Sequence, residues 1–205
     1  MVTRQIHISN GNSKMGAVPS FSLPSGISCS LEARTTCYID CYYRKHCEDR
    51  FPNVRKNARD NFFSCVHWPE WVEEKLDDYF SDLTAPRLFR IHVGGDFFSA
   101  CYLNMWIRIT KKHPNTKFLA FTKQFDVLSQ VLRSGIEIPE NFSIVLSAWP
   151  GMDIPQYLKA QFPVAWMQDG TEDRVPESAV KCNDNCAMCG KCWATNGTDV
   201  VFNKH

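Results

Sequence analysis

The residues best suited to chemistry are cysteines, and they fall in two groups. Near the end of the chain, CNDNCAMCGKCW (Cys182 to Trp193) holds four in the eleven residues from Cys182 to Cys192: Cys182, Cys186, Cys189 and Cys192. Intervals of three, two and two residues let the sulfurs converge on one centre. Thiolates so spaced bind tetrahedral Zn²⁺ or an iron–sulfur cluster. The C-x2-C-x2-C portion is closer to iron–sulfur ligand runs than to zinc fingers, which pair two distant knuckles. Gly190 allows a tight turn between sulfurs. The alternatives are two disulfides or four unrelated thiols.

The second group is Cys29, Cys37 and Cys41, at intervals of seven and three residues. Three thiolates can hold three irons of a 4Fe–4S cluster. The fourth iron is then open to a substrate or cofactor, as chemistry at a cluster requires. Cys47 is a possible fourth ligand, or a substitute for Cys29. Against this stands the common fate of free cysteines, which is burial. Cys65 and Cys101 lie in helical patterns and read as core. His92 follows a strand pattern and reads as a packed histidine.

With 205 residues, the chain is long enough for one sizeable core and a small appendage. At 44% hydrophobic and 22% charged it has the balance of a globular protein, and 13% aromatics suggest a well-filled core or pocket. A net charge of +1 gives no bulk argument for nucleic acid. Arg44, Lys45, Arg50, Arg55, Lys56 and Arg59 crowd one segment, and Glu70, Glu73, Glu74, Asp77, Asp78 and Asp82 the next. Both read as solvated helix faces. The start lacks a signal-peptide core, and no run has transmembrane length. Ten cysteines without an export signal imply a reducing cytoplasm and metal ligation.

The elements that must position these thiols follow from periodicity. Residues 10–30 are Gly-, Pro-, Ser- and Asn-rich and predict loop, with an extended piece near Val18 to Leu23. A helix is expected through Cys37, Cys41 and Cys47. Two more are expected over about Val54 to Val66 and from Pro69, where proline suits a first turn. In the latter Trp68, Trp71, Val72, Leu76, Tyr79, Phe80 and Leu83 share one face. RLFRIHV then predicts a strand, Ser99 caps a helix to about Lys112, and KFLAFT is a second strand. A helix from Gln124 to Arg133, a strand from Phe142 to Ala148, a helix from Ile154 to Ala160 and a strand from Val164 to Met167 follow. The alternation predicts an α/β fold with a parallel sheet. Four strands cannot close a full barrel. The expectation is an open or partial parallel (βα) barrel with N-terminal helices, residues 1–170, and a cysteine-rich metal-binding tail, residues 171–205.

Parallel α/β folds place sites beyond the carboxyl ends of strands. That rule selects Gly94, Gly95 and Asp96, then Thr122 and Lys123, Ser147 and Trp149, and Gln168 and Asp169. Gly94 and Gly95 would let a ligand approach the backbone. Asp96 could bind an amine or act as a base, or simply stabilise the next helix's N-terminus. Lys123 is a catalytic candidate or an exposed surface lysine.

The sequence resembles the bacteriophage gene product 88 family. The family opening N-x-K-x-G…FSLP-x-G-x-(S/T)-C matches Asn12, Lys14, Gly16 and FSLPSGISC ending at Cys29. Its C-x3-C-Y matches Cys37, Cys41 and Tyr42, and its R-I-H-x-x-G-D-F-F-S matches Arg90 to Ser99. FLAFTK resembles its F-x-A-Y-T-K, and Cys192 with Trp193 its cysteine-rich ending. More distantly the layout is similar to radical S-adenosylmethionine proteins, with a cysteine triad, a partial barrel and a Gly-Gly-acid motif, here Gly94 to Asp96. The triad spacing departs from their C-x3-C-x2-C.

That second resemblance implies an enzyme in which S-adenosylmethionine chelates the open iron and is split to a 5′-deoxyadenosyl radical. Gly94, Gly95, Asp96 and Tyr42 would bind the cofactor. Cys182, Cys186, Cys189 and Cys192 would hold a second 4Fe–4S cluster or a structural Zn²⁺. The implied partners are an electron donor and an unidentified substrate, in the cytoplasm of a host cell if phage-encoded, with no membrane and nucleic acid not favoured. The rival expectation is a zinc-bound structural or nucleic-acid-binding module.

Overall fold

The computed structural model describes residues 4–183, 185–194 and 197–204, so Asp184 of the cysteine run lies outside the described residues. The chain opens with β1 (Ile8–Ser9), β2 (Ser20–Phe21), α1 (Leu31–Thr35) and a π-helical turn (Arg44–Glu48). Two helices follow, α2 (Pro52–His67) and α3 (Pro69–Ser81), each with proline at its start, where a missing N–H costs nothing. Strand and helix then alternate: β3 (Leu88–Ile91), α4 (Ala100–Lys112), β4 (Lys117–Thr122), α5 (Phe125–Arg133), β5 (Phe142–Ala148), α6 (Gln156–Lys159) and β6 (Val164–Gln168). Ser99 caps α4, its hydroxyl accepting from Tyr102 N at 3.2 Å. The tail supplies β7 (Val180–Lys181), α7 (Cys186–Cys189), a 3₁₀ turn (Lys191–Trp193) and β8 (Val200–Asn203).

Among the described residues the eight strands form one sheet, ordered β1-β2-β3-β4-β5-β6-β8-β7. Only the β1–β2 pair is antiparallel. From β2 to β6 each strand lies beside its predecessor, with no reversal of order. The sheet is open, and it has twice the four strands read from periodicity. The four additional strands are β1, β2, β7 and β8. Three of them are two residues long, too short to carry an alternation, and β1 and β7 at the edges offer too few hydrogen bonds to close a barrel.

One face of the sheet carries the helices. Phe89, Ile91, Phe118, Ala120, Phe142, Ile144, Leu146 and Trp166 meet Val72, Leu76, Phe80, Leu103 and Trp106 in the main core. Each fully buried large apolar side chain there stabilises by roughly 1.5–3 kcal/mol. Period two sends the intervening residues to the other face. There Leu119, Val145 and Ala165 pack with Met15, Val18, Val200 and Trp193 in a second cluster. The cysteine tail thus crosses the face opposite the helices, with the Trp193 indole donating to Phe89 O at 3.2 Å.

Three local expectations are corrected. No continuous helix runs through Cys37, Cys41 and Cys47. The Thr35 and Thr36 hydroxyls and the Cys37 thiol bond back to Glu32 O and Ala33 O, which ends α1 and leaves Cys37 and Cys41 in turns. Cys47 lies in the π-helical turn. Leu83 is fully exposed, because α3 stops at Ser81 and the Asp82 carboxylate accepts from Thr84 N and its hydroxyl, turning the chain outward. Cys101 is exposed on the outer side of α4, while Cys65 is buried as expected.

Candidate functional site

A cavity of about 260 Å³ opens at the carboxyl ends of the parallel strands, between the tail and the first cysteine segment. Its wall includes Cys29, Cys37 and Cys41 from one group, and Cys182, Cys186 and Cys192 from the other. Tyr42, Gly94, Gly95, Asp96, Lys123, Ser147 and Trp149 also line it. Cys189 and Cys47 are absent from the wall, as are Gln168 and Asp169. Gln168 and Asp169 instead bind their own loop, accepting from Gly170 N and Thr171 N. All ten cysteines are free, so neither group is paired in disulfides.

The first cysteine segment is seated against the turn after β3. Leu23 N donates to Gly94 O at 2.9 Å, and Asp96 N donates to the Ser28 hydroxyl at 3.2 Å. A Cβ at Gly94 would overlap the Tyr43 ring, and one at Gly95, where φ is +80°, would overlap Ser28 and Leu23. The two glycines therefore admit the cysteine segment itself at close range. Buried Glu48 ties the far end of that segment, accepting from Ser25 N at 3.2 Å and from the Ser25 hydroxyl.

Asp96 is buried, with three donors on its carboxylate: Phe97 N at 2.8 Å, the Thr122 hydroxyl at 2.7 Å and Lys123 N at 2.7 Å. It joins the ends of β3 and β4. Burial pushes its pKa up, and the hydrogen bonds, Lys123 N first, oppose that. The Lys123 ammonium donates to the Ser147 hydroxyl at 2.9 Å and lies 6.0 Å from the Trp149 ring centroid.

Burial raises the pKa of four of the thiols on the wall. Burial, with the Asp96 charge as the next cause, pushes Cys29 up to about 12. Burial also raises Cys41, Cys186 and Cys192, the last to about 11, while the Arg90 charge pulls the latter two back. The Cys192 thiol interacts electrostatically with Cys186, Cys182 and Cys189, so the four tail thiols are neighbours. Among the described residues, no three His, Cys, Asp or Glu side chains gather tightly enough to hold a single ion. Soft thiol donors on one wall fit a metal–thiolate group in ligand type, and seating one would draw the sulfurs together and expel their protons.

Several wall residues were given no functional role by the sequence motifs. Arg90 lies on the inner face of β3, its side chain 4.0 Å from the Phe121 ring centroid. His92 has φ +64°, a strained conformation for a residue with a Cβ, of a kind that clusters at functional sites. Its Nε2 is 2.9 Å from the Tyr102 hydroxyl, and burial lowers its pKa to about 3, so the ring is neutral. Asp40 pairs with Lys204 at 2.8 Å and Lys45 at 2.7 Å, linking the first cysteine segment to the chain after β8. Arg90 and His92 both stand in the Arg90–Ser99 family motif, but no role is read there for Arg90, and His92 reads as a packed histidine.

The family described as Gene product 88 matches residues 3–195, a span that includes every cysteine and the Gly94-Gly95-Asp96 turn. The chain is similar to the Gene 88 protein of Mycobacterium phage D29, at 28% identity over 98% of this chain and 93% of that protein. The same figures hold for the Gene 88 protein of Mycobacterium phage L5. No solved structure matches. Nearly its whole length falls within one family pattern, and the thiols, the turn and the final Cys192–Trp193 pair all lie inside it: the chain belongs to the gene product 88 family.

Proposed function

We propose that this protein is an iron–sulfur enzyme similar to radical S-adenosylmethionine proteins, with Cys29, Cys37 and Cys41 as ligands of the reactive cluster. One observation carries this: both cysteine groups and the Gly94-Gly95-Asp96 turn line a single cavity at the carboxyl ends of parallel strands. The consecutive order β2 to β6 supports the partial (βα) barrel we propose for residues 1–170. Cys47 stays off the wall, so the triad keeps an open side toward the cavity. When bound, a cluster there would deliver an electron to a sulfonium ligand such as S-adenosylmethionine and so start radical chemistry on a substrate.

The chain's own residues then have defined tasks. The Asp96 carboxylate keeps lone pairs beyond its three bonds and can accept from the ligand's ammonium. Lys123, fixed by Ser147, faces the ligand's carboxylate. Phe121 and Trp149 give an apolar wall. The cavity is smaller than the about 300–1,000 Å³ usual for small-molecule sites, so a nucleoside-sized ligand requires the tail to shift outward. Residues 171–205 act as a metal-binding unit, with Cys182, Cys186, Cys189 and Cys192 holding a second cluster or Zn²⁺. An electron donor is the required partner, in a cytoplasm that keeps thiols reduced. Among the described residues, no helix is long and apolar enough to cross a membrane. Nucleic acid is disfavoured because Lys45, Arg55 and Lys56 of the basic segment pair with Asp40, Asp49 and Asp60.

The test is anaerobic reconstitution with iron and sulfide, followed by metal analysis and electron paramagnetic resonance with and without S-adenosylmethionine. A brown protein is expected, whose reduced spectrum changes on adding the ligand. Cys41→Ala should abolish the part of that spectrum that responds to the ligand. Asp96→Asn should keep the cluster and weaken ligand binding by about 1.5–3 kcal/mol, the worth of a charged hydrogen bond. A colourless protein holding only zinc would establish the structural-module alternative instead.

A further inference from the structure

Among the described residues, Arg90 is a cation with no carboxylate paired to it. Its neighbours Phe89 and Ile91 enter the helix-side core, so alternation sets Arg90 on the face crossed by the tail. Its Nε donates to His92 O at 2.9 Å, and its guanidinium lies over the Phe121 ring. Among the described residues no acidic side chain pairs with it, and it shares the cavity wall with Cys182, Cys186 and Cys192. Burial lowers its pKa to about 10, and the negative potential of those thiols when ionised is what opposes the shift.

We propose that Arg90 is the built-in counter-charge of an anionic metal–thiolate centre on Cys182, Cys186, Cys189 and Cys192, a positioning residue that binds the ligand sulfurs rather than the metal. The assignment rests on the reading of the tail as a metal site. Four thiolates around a divalent ion, or around an iron–sulfur core, carry net negative charge, and a buried anion needs a paired cation. A guanidinium has five N–H donors in a rigid plane. One is spent on His92 O, and stacking on Phe121 holds the plane in place. The remaining donors are available to sulfur. The strained backbone of His92 belongs to the same device, since its carbonyl sets the direction of the Arg90 side chain. Arg90 has no carboxylate partner among the described residues, and a metal–thiolate anion would supply its counter-charge.

The probe is Co²⁺ added anaerobically to the full-length reduced protein, followed by thiolate-to-cobalt absorption, with Cys189→Ser marking the part of the signal due to the tail. Arg90→Gln should weaken tail binding about 10–100-fold, as loss of a partner of metal ligands does, while Arg90→Lys, which keeps the charge, should recover most of it. Should Arg90→Gln fail to fold, ¹⁵N resonance of the Arg90 side chain in the wild-type protein decides: it should shift on adding Zn²⁺, and not in Cys189→Ser. Equal Co²⁺ affinity in wild type and Arg90→Gln, or an Arg90 signal indifferent to Zn²⁺, overturns the assignment. A wild-type cobalt signal unaffected by Cys189→Ser overturns the metal reading of the tail itself, and the counter-charge with it.

Discussion

At the scale of single residues, burial favours the neutral thiol at Cys29, Cys41, Cys186 and Cys192. Cys29 illustrates the energetics. Its pKa is raised from the ordinary 9.0 to about 12, first by burial and then by the Asp96 charge. A group raised on folding contributes stability that is fully present below its unfolded value and is lost as pH climbs through the folded one. The metal-free, reduced protein should therefore weaken from about pH 9 upward, and the loss should flatten in Cys29→Ala. Urea midpoints measured across the alkaline range check this. A wild-type midpoint independent of pH there would mean that Cys29 ionises without penalty. Metal loading should show the opposite slope, binding more tightly as pH rises, because each thiol must give up a proton to become a ligand.

Among the elements, the 3₁₀ turn Lys191–Trp193 is the anchor of the tail. Trp193 is 3% exposed, packs with Leu119, Val145 and Ala165, and donates its indole N–H to Phe89 O. Truncation to Ala removes a large buried ring together with its hydrogen bond, a loss of about 3–5 kcal/mol at a core site. The helix-side core is made by other residues, so the expected result is local. Hydrogen exchange should quicken in β8 and around Cys192, with little change in β4 or β5. Uniform acceleration across the sheet would show that the tail is needed by the whole fold. Helix α3 shows why its acidic run is not a free patch: Glu73 pairs with Arg108, and Asp77 with Lys112 and His113, both across to α4.

At the level of the whole molecule, the tail binds the two halves of the site together. β8 pairs in parallel with β6, Cys186 N donates to Lys14 O at 3.2 Å, and Lys204 pairs with Asp40. Any metal held by the tail thiols in the folded state alone must raise global stability by mass action, by about 2.7 kcal/mol at a free concentration a hundredfold above its dissociation constant. Adding Zn²⁺ or reconstituting with iron should raise the melting temperature, and a chelator should return it to the metal-free value. A melting temperature indifferent to both would place metal binding outside the fold.

Local chemistry in the sequence determined the elements long enough to show a period, and the thiols grouped closely enough to show a spacing. Pro69 starts α3, Ser99 caps α4, and Phe142–Ala148 forms β5, because caps and alternation act within a few residues. The groups Cys29–Cys37–Cys41 and Cys182–Cys192 were visible for the same reason. Tertiary structure alone decided that both face one cavity, since that follows from β6 pairing with β8 and from the tail crossing the inner face. It also filled the space at Gly94 with Tyr43, a residue some fifty positions away that no local pattern could name. Arg90 is the sharpest case. Alternation in β3 assigned its face, but what lies on that face is set by chain a hundred residues downstream, and only long-range packing puts that cation beside the tail thiols.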